Sequence, residues 1–141
     1  MTDTPHDQSH DQSNERRERG TKILDELHPD AYGAVKDAMA DIAPDFADFI
    51  SDFAFGDIYG RQDLALRDRQ ITTIAALAAI GHASPQLKVH IQAGARVGLS
   101  RREIVEILMQ IALYAGFPAT LNALAVAKEA FAELDEKTPG A

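Results

Sequence analysis

The sequence predicts an all-α protein. Apolar residues recur at spacings of three and four over most of its length, and helix-capping or helix-breaking residues punctuate those runs. No stretch alternates β-branched with polar residues as a half-buried strand would. The 141 residues leave room for one domain, and a 45% hydrophobic content is enough to build its core.

Composition removes several classes of function. A net charge of −8 is the wrong sign for a nucleic-acid surface. No apolar stretch approaches the roughly 18 residues a membrane span needs, and the N-terminus lacks the apolar middle region of a signal peptide. A cytoplasmic location is therefore expected. The absence of cysteine excludes disulfides, thiolate metal sites and any cysteine nucleophile. An acidic chain that binds an anion must concentrate its few arginines at the binding site.

Residues 1–14 read as a disordered tail, with His-Asp-Gln-Ser occurring twice in tandem at 6–9 and 10–13. His6 and His10 with Asp7 and Asp11 form at most a sparse metal-ligand set, and a solvated tail accounts for them. The folded domain is expected over 15–136, with a short tail at 137–141. A first helix covers 15–28 and stops before Pro29, and a second covers 30–41. Pro44 opens a third, carrying Phe46, Phe49, Ile50 and Phe53 on one face. Residues 56–63 read as a connecting loop.

Residues 67–80 form a helix that is apolar nearly all round, as a central helix must be. Gly81 suits the position after it, and Ser84-Pro85 reads as cap and first turn of the next helix, which carries Leu87, His90, Ile91, Gly94 and Val97 and ends at Gly98. Ser100-Arg101-Arg102-Glu103 is a capping box that opens a helix to residue 115. After the break at Gly116-Phe117-Pro118, a last helix carries Leu121, Leu124, Ala127, Phe131 and Leu134. Two helices, 67–80 and 100–115, are apolar on more than one side, which points to a homo-oligomer.

Four segments in this order resemble the carboxymuconolactone decarboxylase family over about residues 17–131. They are Phe55-Gly56-Asp57-Ile58-Tyr59-Gly60-Arg61, the helix opening at Leu66 to Ala75, Leu87-Lys88-Val89-His90-Ile91 with Gly94, Ala95 and Gly98, and Glu103-Ile104 through Tyr114-Ala115-Gly116-Phe117-Pro118-Ala119 to Asn122-Ala123. The resemblance implies an alkylhydroperoxidase-D-like bundle of about six to seven helices, assembled as a trimer or hexamer. The superfamily's peroxidase branch carries a cysteine pair that would fall at Ala83 and Gln86, so dithiol peroxide reduction is excluded here. Gln70 stands where many relatives have a carboxylate, and Gln110 where many have a second histidine.

The reaction the family name implies is loss of carbon dioxide from 4-carboxymuconolactone to give 3-oxoadipate enol-lactone, in the degradation of aromatic compounds. It requires no cofactor and no metal, because the substrate's own conjugated lactone carbonyl receives the electrons. The partner so implied is a small anionic lactone. The protein must supply a cationic grip on the second carboxylate, donors for the developing oxyanion and a proton for carbon.

His90 is the candidate proton donor, on the inward face of its helix, though a hydrogen-bonded core histidine would occupy the same place. Arg61 and Arg69 are candidates to grip a carboxylate through paired hydrogen bonds, and a surface position at a helix terminus would equally explain Arg69. Gln70, Gln110 and Asn122 offer amide groups to substrate, and Tyr59 a pocket wall. Tyr114 reads as satisfying backbone near the 116–118 break. No serine stands on a glycine-flanked nucleophile turn, and His82 and His90 lack the spacing and the acidic partner of a zinc motif. Two alternatives stay open: isomerisation or hydrolysis of a related lactone, and a non-enzymatic oligomeric binding protein on the same fold.

Overall fold

The computed structural model describes residues 5–138 and Gly140, with side chains from residue 11 onward. The described residues are almost entirely helical and contain no strand, as expected. Contacts group the chain into two compact units, Met1–Asp63 and Leu64–Ala141.

In the first unit, helix α1 (Pro5–Leu27) starts well before residue 15, where the expected tail ends. Proline's fixed φ suits a first helical turn, and nothing between Pro5 and Gly20 breaks the helix. The His6 and His10 side chains lie outside the described residues. α2 (Ala31–Ala38) and α3 (Phe46–Phe49) follow. The chain then continues as a π-helical segment, Ile50–Tyr59, where a loop from residue 56 was expected.

The reason lies in two close approaches of backbone. A Cβ added at Gly20 would stand 2.0 Å from the Ser51 carbonyl oxygen, and one added at Gly56 would stand 2.8 Å from that of Arg16. Gly56 is thus a contact glycine inside a helix, not a loop residue. Three arginines of α1 reinforce the contact. Arg16 donates from Nε to both carboxylate oxygens of Asp57, at 2.8 and 2.9 Å. Arg17 pairs with Asp52, and Arg19 Nε donates to the Gly56 carbonyl at 2.8 Å. The Arg16 guanidinium holds the Asp57 carboxyl below its usual range. Phe46, Phe49 and Phe53, read as lying on one face of the third helix, are 49%, 62% and 59% exposed in the isolated chain.

The second unit comprises α4 (Leu66–Ile80), α5 (Ser84–Arg96), α6 (Arg101–Ala115) and α7 (Phe117–Lys137). Its core joins Ile74 of α4, Leu87 and Ile91 of α5, Ile104 and Leu108 of α6, and Ala127 of α7. Gly81 closes α4 with φ of +80°, a conformation glycine adopts freely. The capping box is present in full. Ser100 Oγ accepts from the Glu103 amide at 3.1 Å, and the Glu103 carboxylate accepts from the Ser100 amide at 2.8 Å. At α5 the expectation is off by one position: Ser84 is the first helical residue, Ala83 precedes it, and no side chain caps the end. No helix among the described residues is long and apolar enough to cross a membrane.

Candidate functional site

The second unit brings two of the candidate residues into direct contact. α4 and α5 approach closely at Gly94, where an added Cβ would meet Leu99 Cδ1 at 2.9 Å and Ile74 Cδ1 at 3.2 Å. Gln70 stands one turn before Ile74 on α4, and His90 one turn before Gly94 on α5. Their side chains meet, with Gln70 Oε1 3.0 Å from His90 Nδ1.

The two residues differ in exposure. Gln70 has none of its surface open to solvent, whereas His90 is half-buried. A fully buried amide costs free energy unless it is hydrogen-bonded, and Gln70 is only partly satisfied: its Nε2 has no partner. Gln70 was expected to bind substrate directly. In this structure Gln70 has no surface open to a ligand, and its amide oxygen contacts His90 instead.

α5 is held from its other side. Glu133 of α7 accepts from Lys88 Nζ at 2.8 Å and from the Gln92 amide at 2.7 Å. These two α5 residues flank His90 in sequence, so one carboxylate of α7 anchors the turns on either side of the imidazole. The Lys88 ammonium first, and then the Gln92 amide, holds the Glu133 carboxyl below its usual range.

The remaining candidates are not part of this contact. Arg69 Nε donates to the Leu64 carbonyl at 3.1 Å, folding back over the start of its own helix. Asn122 is exposed on α7 and lines a shallow crevice with Leu77, Ser84 and Leu87. Gln110 is exposed on α6. Tyr114, expected to satisfy backbone near the helix break, instead stands 87% exposed. In the first unit, Tyr59 ends the π-helical segment with its ring 5.0 Å from that of Phe55, and Arg61 is exposed just after it. Among the described residues, no group of three or more His, Asp or Glu side chains is arranged to hold a metal ion.

Sequence reasoning missed the Arg16–Asp57 clamp and the Glu133 anchor. Their partners lie 41 and 45 residues apart, and spacing along a chain carries no signal for such pairs.

The sequence profile of the carboxymuconolactone decarboxylase family matches residues 44–129, from before α3 into α7, a span that contains both Gln70 and His90. The chain is also 34% identical, over 114 residues, to the 4-carboxymuconolactone decarboxylase of Acinetobacter baylyi; the match covers 81% of this chain and 82% of the relative. The chain belongs to the carboxymuconolactone decarboxylase family. A second relative is an uncharacterized 15.0 kDa protein from the nqo9-nqo10 intergenic region of Paracoccus denitrificans, 32% identical over 101 residues, or 71% of this chain and 75% of that one. Within this decarboxylase family, α4 and α5 of the present chain supply the contact that ties Gln70 to His90.

Proposed function

We propose that this protein is a cofactor-independent decarboxylase of a small carboxylated lactone, and that 4-carboxymuconolactone is its substrate. The observation that carries this reading is a half-buried His90 whose Nδ1 is engaged by Gln70, and the reading assigns proton transfer to Nε2. The name of the Acinetobacter relative supports the substrate class.

In the reaction, the bond between the ring carbon and its carboxylate breaks and carbon dioxide leaves. The electron pair passes through the ring double bond to the lactone carbonyl. His90 then delivers a proton to the carbon beside that carbonyl, giving 3-oxoadipate enol-lactone. Arg61 and Arg69 are the candidates to hold the second carboxylate, and Gln110 and Asn122 to donate to the developing oxyanion. The protein acts as a homo-oligomer, a trimer or hexamer, in the cytoplasm. Large exposed apolar residues at Leu113, Tyr114, Phe117 and Leu121 favour assembly, since a soluble monomer seldom leaves such a cluster uncovered.

The test is to incubate the protein with 4-carboxymuconolactone and follow released carbon dioxide together with the lactone product. Stoichiometric release supports the reading, and an unconsumed substrate overturns it. A second reading, isomerisation or hydrolysis of a related lactone, is favoured by the neutral amide at Gln70 beside the histidine. Substrate consumed without carbon dioxide would establish that reading instead.

A further inference from the structure

The geometry assigns Gln70 as a positioning residue for His90: its amide oxygen keeps Nδ1 as the protonated ring nitrogen and so confines proton exchange to Nε2. Three observations support it. Gln70 Oε1 is 3.0 Å from Nδ1, Gln70 is fully buried, and its Nε2 has no partner.

An imidazole nitrogen facing a carbonyl oxygen must carry a hydrogen to bond to it. That Nδ1–H is present in one neutral tautomer and in the imidazolium alike. The contact therefore survives a full cycle in which Nε2 gains and loses a proton. With the amide turned the other way, Gln70 Nε2 would donate to a bare Nδ1, and that bond would break each time the ring became charged. Only the observed orientation suits a ring that alternates between the two states.

The unmet Nε2 argues in the same direction. A leucine or methionine would fill this volume without burying an unsatisfied donor. The amide is thus costly as core packing, and its one hydrogen bond goes to the ring of His90. One turn beyond His90, a Cβ added at Gly94 would stand 3.2 Å from Ile74 Cδ1 and 3.8 Å from Gln70 Cβ, so α4 and α5 are closely packed beside this contact.

The consequence for catalysis rests on the decarboxylase reading, but the tautomer does not. The experiment is nitrogen-15 NMR of His90 at neutral pH, without substrate, in the wild type, Q70E and Q70L. A protonated Nδ1 is expected in the wild type and in Q70E, whose carboxylate accepts at the same place, and is expected to be lost in Q70L. Where the lactone is turned over, kcat should fall about tenfold in Q70L with KM nearly unchanged, and Q70E should restore most of the loss. A bare Nδ1 in the wild type, or an unaltered Nδ1–H signal in Q70L, would overturn the assignment. Should Q70L fail to fold, the wild type and Q70E still decide it. Failure of the protein to consume the lactone would count against the decarboxylase reading alone.

Discussion

Oε1 of Gln70 and Nδ1 of His90 stand 3.0 Å apart where α4 and α5 cross, and one end of that pair is sealed from solvent while the other is not. A polar contact with one buried and one accessible member is suited to orienting the accessible group. The expected consequences can be measured.

His90→Ala should lower kcat for lactone decarboxylation by about 10²–10⁴-fold, the range over which positioned acid–base groups act. Steady-state assays of carbon dioxide release read this directly. An unchanged rate would remove His90 from the mechanism.

Gly94→Ala should destabilise the second unit, although alanine is the better helix former by about 1 kcal/mol. The added methyl meets Leu99 and Ile74 side chains, which can give way in part, so a net loss of about 1–2 kcal/mol is expected. Denaturant unfolding would show it as a lower midpoint.

Gly20→Ala should be worse. There the obstacle is the Ser51 backbone carbonyl, which cannot rotate aside as a side chain does. A loss of about 3 kcal/mol is expected, with α1 and the π-helical segment forced apart. Hydrogen exchange over 50–59 should accelerate in this variant.

Glu133→Gln should show a stability defect that depends on pH. The Glu133 carboxyl titrates below its ordinary value in the folded protein, because Lys88 and Gln92 favour its ionised form. A group with a lowered folded pKa contributes stability above its unfolded value, about 4.3 for glutamate, and loses that contribution as pH falls through the folded one. The gap in urea midpoint between wild type and variant should thus be open at pH 7 and narrow below about pH 4.

Phe117→Asp should reduce the mass in solution if the cluster of Leu113, Tyr114 and Phe117 is buried between copies of the chain. Phe117 is 75% exposed in the isolated chain, so the substitution should cost the fold of the single chain little. Light scattering coupled to size exclusion would read the assembled mass, and an unaltered mass would place the interface elsewhere.

The helices, the Ser100–Glu103 capping box and the glycine stop at Gly81 were legible in the sequence because each is a local matter of periodicity or of a side chain meeting a nearby backbone group. His90 could be placed on an inward face for the same reason. Its partner could not be named, because Gln70 lies 20 residues away and only the close packing of α4 on α5 joins them. Gly56 was misjudged for a related reason. A glycine looks alike in sequence whether it ends a helix or lets two helices touch, and the contact with Arg16 decides which it does. What the chain determined by itself was helix content, caps and the chemistry that lacking cysteine forbids. Which polar groups meet, which carboxylate anchors α5 and which amide faces the imidazole were decided by tertiary packing, since those free energies arise only when distant segments exclude water together.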